Sequence, residues 1–272
     1  MVDIDFLTKK YFTFDKPVDF QLKNGKINIS PIMLSDSEVF GSSYGILTVD
    51  KNSIPDPKII QMSYLKFIVF VLFGLEDNII RFTNLLLLCL GLKNPKIIIE
   101  NNNPVILDET LQVKITHREF EDIRKIILYQ NVVGYDDEYV NPEFQKALDE
   151  VDELKSKSME PPSLERRIGI VTSHTGLSKK EQMEMTLRSH SVLFREVVEE
   201  IRYNVIMPVA VYNGKFGELD NWIYKKKKGK FDDYVTNVES YTESFGGSQA
   251  VKTTNTAFGD SMDSMFNEFI KK

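Results

Sequence analysis

The sequence predicts an α+β fold, predominantly α-helical, and three observations carry that prediction. Residues 18–32, "VDFQLKNGKINISPI", alternate apolar and polar on both sides of Asn24-Gly25, which is the pattern of a β-hairpin whose two turn positions favour positive φ. A second strand set follows in "KIIIE" (96–100), "PVILD" (104–108) and "LQVKIT" (111–116), the first two joined by the asparagine turn "NNN". Elsewhere apolar residues recur at three- and four-residue spacing, the period of an amphipathic helix.

After the first hairpin, "SDSE" (35–38) has capping-box spacing and predicts a short helix, and "VDKNSIPDPK" (49–58) is a loop rich in turn formers. Pro55 and Pro57 stand ahead of a helix expected from about Lys58 to Phe73, where early amides lack intrahelical partners. Gly74 ends it. A second helix is expected from about Asp77 to Leu90, closed by Gly91 and Pro95. Together "FIVFVLFGL" (67–75) and "LLLLCLGL" (85–92) read as a buried helical hairpin. Neither run approaches the roughly 20 apolar residues a bilayer span needs, so no membrane role is expected.

Thr116 and Glu119 form a further capping box, before a helix over 118–131 with Phe120, Ile123, Ile127 and Leu128 at helical spacing. The stretch 132–163 turns acidic and carries Pro142, Pro161 and Pro162, with one amphipathic helix from Glu143 to about Lys157 and then a linker near 155–163. Ser178 and Glu181 cap a helix expected to reach about Arg202, with Met185, Val192, Phe194, Val198 and Ile201 as buried positions. Residues 203–224 read as strands or loop, because Pro208 argues against a central strand. The expected organisation is thus an α+β domain over 1–155, a smaller helical region over 156–231 and a flexible tail over 232–272. That tail holds seven acids against three lysines, with a Gly, Ser, Thr and Asn-rich stretch at 243–259, a composition unable to bury enough apolar surface to fold alone.

Composition narrows the function classes. With 272 residues, 42% of them hydrophobic, the chain can bury a sizeable core, and its net charge of −6 opposes phosphate binding. The single cysteine, Cys89, lies inside an apolar run and reads as a small core side chain in a reducing cytoplasm. No phosphate-cradling glycine motif, dinucleotide fingerprint or paired-cysteine zinc pattern occurs. His117, His174 and His190 show no metal-ligand spacing, and "YDDEY" (135–139) lacks the alternating ligands of a calcium loop. No enzyme and no cofactor are therefore expected.

Several spaced stretches carry a family resemblance: "INISPIMLSD" (27–36), "VDKNSIPDPKIIQMSYLKFI" (49–68), "ILYQN" (127–131), "PPSLERRI" (161–168) and "WIY" (222–224). Across about residues 17–224 the chain resembles the tail assembly chaperones of long-tailed bacteriophages. The resemblance implies a non-virion protein of the host cytoplasm that keeps the long, largely helical tape-measure protein soluble while tail-tube subunits polymerise around it. Tail-tube protein is a further candidate partner. It also implies a gene that makes a short product and, by a −1 ribosomal slip, a longer one. Four lysine codons are adenine-rich, so Lys225 to Lys228 mark a candidate slip site, and Trp222, Ile223 and Tyr224 become the last apolar anchors of the folded body.

A chaperone of this kind needs apolar surface rimmed by charge. The candidate faces are Met62, Tyr64 and Leu65 on helix 58–73, Met183, Met185 and Leu187 on helix 181–202, and Phe258, Met262, Met265, Phe266 and Phe269 in the terminal segment; the last two sets carry the assignment. The terminal segment either forms a helix on binding a partner or folds back as a last helix of its own domain. Exposed apolar grooves also predict self-association into a homo-oligomer. Two other classes remain: a virion structural protein of the tail or baseplate, and a nucleic-acid accessory protein resting on "YKKKKGK" with Trp222 and Tyr224. Asp232 and Asp233 follow that basic run at once and argue against nucleic acid.

Overall fold

Strand β1 (Val18–Leu22) pairs antiparallel with β2 (Gly25–Ile29) in a computed structural model that describes residues 2–137, 144, 146, 148, 150, 161–214 and 223. Leu22 faces Gly25 across the ladder, so the loop is Lys23–Asn24, one residue earlier than expected. Gly25 alone takes a positive φ, 134°. The loop is held from outside: the Lys23 N–H donates to Glu119 Oε1 at 2.8 Å. The same carboxylate receives Thr116 N–H and Oγ1 at 2.8 and 2.6 Å, closing the expected capping box and tying the hairpin to the helix Glu119–Asn131. Burial works to raise the Glu119 pKa, but the Thr116 hydroxyl and the backbone N–H donors outweigh it and hold it below the usual range.

The second sheet has the order β3 (Lys96–Glu100), β4 (Asn103–Asp108), β5 (Val113–Thr116), all antiparallel. Asn101 and Asn102 both adopt left-handed φ, 48° and 63°, and Glu100 pairs with Asn103. This is the asparagine turn the sequence predicts, because Asn tolerates that region better than other side chains with a Cβ. Val105, Ile106, Val113 and Ile115 turn inward.

The helical hairpin forms with one correction. Helix 58–73 is divided into Pro57–Gln61 and Tyr64–Phe70, since Met62 and Ser63 are extended with ψ near 146° and 154°. The break is stabilised from both sides: Glu121 Oε1 accepts the Tyr64 N–H, and Lys51 Nζ donates to the Met62 carbonyl. Tyr64 and Leu65, expected on an exposed face, are buried; the Tyr64 hydroxyl donates to the carbonyls of Ile46 and Val49, and the Arg124 guanidinium lies 3.9 Å from its ring. The helix Glu76–Leu90 ends as expected at Gly91, whose φ of 61° is the left-handed cap that favours glycine. Phe82, Leu85, Leu86 and Cys89 join Phe120, Ile123, Ile127 and Leu128 in one core with the β2 face. Burial pushes the Cys89 thiol up to about 12, consistent with an inert packing role.

The fold is therefore α+β and mostly helical. The described residues from 2 to 214 belong to one compact unit. Phe144, Lys146, Leu148 and Glu150, within the helix expected over 143–157, are helical. The linker near 155–163 falls mostly outside the described residues, as does the whole tail 232–272. No helix among the described residues is long and apolar enough to cross a membrane.

Asp108 holds the loops at the end of the second sheet. Its carboxylate is fully buried and accepts backbone N–H groups from Lys93, Asn94, Thr110 and Leu111 at 2.6–3.0 Å. Burial acts to raise its pKa, and the backbone donors outweigh it, leaving the group below the usual range. A depressed folded pKa contributes stability above the unfolded value, about 3.9, which is lost as pH falls through the folded value. Asp108→Asn leaves donors facing an amide and should destabilise the fold by about 2 kcal/mol at pH 7. Urea midpoints should show that gap, and it should narrow below about pH 4; a gap independent of pH would refute the role assigned to the carboxylate.

Candidate functional site

The C-terminal helices attach to the N-terminal core along a seam built by backbone and polar side chains. Helix Leu164–Thr175 is followed by Lys179–Met183, which opens on the expected Ser178/Glu181 capping box. The helix expected to run unbroken from 181 to about 202 is interrupted at 184–186. There the chain pairs with residues 32–34: the Leu34 N–H donates to the Met185 carbonyl at 2.8 Å, and the Leu187 N–H donates to the Ile32 carbonyl at 2.7 Å. Asp15, in a left-handed conformation, accepts from Thr186 Oγ1 at 2.5 Å and Ser189 Oγ at 2.6 Å. Arg188 Nη1 reaches the Tyr129 carbonyl at 2.8 Å.

Behind the seam lies a buried polar pair. The Gln182 Nε2 donates toward Thr172 Oγ1, with the carbonyls of Ile168 and Leu177 also within reach, so its Oε1 faces His190 Nε2 at 3.1 Å. That nitrogen must then carry the proton and donate. Burial, with Arg167 nearby, holds His190 below the usual histidine range, which favours the neutral ring. Met183, Met185 and Leu187 are all half-buried here. Leu187 also borders a groove of about 610 Å³ with Phe40, Tyr44, Val132, Leu164 and Arg167. Phe258, Met262, Met265, Phe266 and Phe269 lie outside the described residues.

The helix Leu187–Tyr212 supplies what the sequence reading missed. Residues 203–212, expected as strand or loop, continue the helix, and Pro208 sits inside it. Proline there removes one N–H and crowds the preceding turn, at about 3 kcal/mol in a helix interior. The first half packs His190 and Val197 inward. Continuing at helical spacing on that side, Val198, Ile201, Val205, Val209 and Tyr212 are exposed, Val205 at 67% and Tyr212 at 91%. Val198 and Ile201, expected as core, are thus surface residues, and Val197 takes the buried place. Glu196, Glu199 and Glu200 occupy other faces of the helix, Glu200 pairing with His174 at 2.9 Å, while Arg202, three residues before Val205 and seven before Val209, lies at the edge of the stripe itself. The pattern was readable: the 3-4-4-3 apolar spacing runs through Pro208. The proline signal masked it.

No family model, curated protein or solved structure matches the chain. The surface must therefore be judged on its own chemistry. A second exposed apolar group, Leu75, Ile79, Ile80 and Leu87, lies on and just before the helix Glu76–Leu90. Among the described residues no group of three or more His, Cys, Asp or Glu side chains could hold a metal ion.

Asp15→Asn keeps a residue that tolerates the left-handed backbone but removes one acceptor from the seam. It should destabilise the protein by about 1 kcal/mol. Hydrogen exchange should locate the effect, with the Leu34 and Leu187 amides accelerating ahead of amides in the helix Glu119–Asn131.

Proposed function

We propose that the protein is a non-enzymatic tail assembly chaperone of a long-tailed phage, acting in the host cytoplasm and binding the tape-measure protein. The observation that carries this reading is the apolar face Val198, Ile201, Val205, Val209 and Tyr212, exposed along one helix, with charged residues beside it as far as Arg202 and the exposed Ile206 and Val211 beyond. A partner that is itself a long amphipathic helix offers a matching stripe, and helix against helix is an established way to cover such a face. Leu187 and the groove beside it extend the same helix toward the seam. Self-association through this face, and engagement of tail-tube subunits, belong to the same proposal.

Co-expression with the long coiled-coil protein of the same tail, followed by a pull-down, tests the reading directly. The chain should co-purify with that protein and raise its soluble fraction. Failure of both would sink the chaperone role, and recovery of the chain in purified particles would favour a tail or baseplate structural protein. Val205→Lys with Val209→Lys tests the face itself. Charge near a helix C-terminus is tolerated, so stability should change by less than about 0.5 kcal/mol. Co-purification should nevertheless be lost; full retention would exclude this face.

A further inference from the structure

A pocket of about 410 Å³ lies where the helices Pro57–Gln61 and Tyr64–Phe70 meet the turn before Glu119–Asn131, remote in sequence from the seam. Lys58, Lys66, Arg118 and His117 line it, together with Gln61 and Ser63, and no acidic side chain is among its lining residues. Among the described residues, none of the three cations forms an ion pair. In a chain of net charge −6, three unpaired cations around one cavity are not explained by charge balance. The Ser63 Oγ is buried and has no hydrogen-bond partner.

We propose that this pocket binds a phosphate-class oxyanion. The lining presents donors only from charged groups, with an amide and a hydroxyl beside them, which suits a ligand made of several acceptor oxygens. A single carboxylate would neutralise one of the cations, whereas a tetrahedral dianion matches two and accepts from several directions. The cavity exceeds the size of one phosphate, so the same chemistry can arrive as free phosphate or as a small phosphate monoester. Glu121, whose carboxylate is engaged by the Tyr64 N–H, acts on His117 from the adjoining helix. It partly offsets the cations that, with burial, hold His117 below the usual histidine range: burial first, then Lys66 and Arg118. An anion seated among Lys58, Lys66 and Arg118 reverses that field, making His117 a built-in reporter.

The test is an NMR titration of the His117 ring protons in the full chain, assigned by His117→Gln, at constant ionic strength. Sulfate, which does not titrate in this range, and inorganic phosphate at millimolar concentration should each raise the His117 midpoint by about one pH unit, a tenfold coupling. Chloride should not. Lys66→Ala with Arg118→Ala, checked for folding by circular dichroism, should abolish the response. Ribose 5-phosphate distinguishes the sources: binding tenfold tighter than inorganic phosphate assigns a monoester, and equal binding assigns the free anion. An equal shift with chloride, or no shift with either oxyanion, overturns the proposal.

Discussion

Residues 30–34 are the constraint on which the rest of the structure depends. The chain leaves β2 at Ile29 and runs through the interior as irregular backbone, with Ile32 and Leu34 buried. Such a segment has no ladder, and an unpaired buried amide is costly, so every polar group needs a partner from elsewhere. Ser30 N–H takes the Cys89 carbonyl at 2.9 Å, and Ile32 N–H takes the side chain of buried Asn131 at 2.8 Å. The Ile32 carbonyl and Leu34 N–H are met by Leu187 and Met185. Pro31 carries no N–H and adds no demand. One five-residue stretch therefore fixes the ends of two core helices and the start of the long C-terminal helix together.

That arrangement explains why helix 181–202 could not be continuous. The chain must leave the helix after Met183 and reach an extended Thr186 to present Met185 and Leu187 backbone to the 32–34 segment, so the helix stops at Met183 and restarts at Leu187 behind the Thr186 cap. Asp15, Gln182 and His190 stabilise the break with side-chain hydrogen bonds. The consequence reaches the surface. A helix aimed by the seam buries His190 and Val197, then carries an apolar side past the point where burial ends.

Much of the fold was legible because its signals are local. Asn101-Asn102, the Gly91 cap and the Thr116/Glu119 box each act within a few residues, and each predicted element formed. What stayed hidden is non-local. Nothing in the local pattern around Met62 and Ser63 announces that Glu121, 57 residues away from Tyr64, will cap a restarted helix. Nor does Asn131, at the end of an apolar helix, say that its amide serves Ile32, 99 residues distant. The site shows the same division: the methionines at 183 and 185 read as a binding stripe by composition, whereas the structure places them half-buried beside the seam. Val205 and Val209 escaped because Pro208 outweighed their spacing.

The magnitude of the exposed face limits how it can act. Covering the exposed parts of Val198, Ile201, Val205, Val209 and Tyr212 contributes at most about 10 kcal/mol at 25 cal/mol per Å², given their partial exposure. Association in solution loses roughly 4–15 kcal/mol of translational and rotational freedom. One stripe on one partner helix is therefore a weak contact, formed and broken readily. On a long helical partner with stripes repeated along its length, however, several such contacts reinforce one another, because each new one is made at high effective concentration. Weak, repeated binding suits the chaperone role proposed above, in which a long helical partner is covered and then released. A single tight grip would hold the partner soluble but would oppose its release.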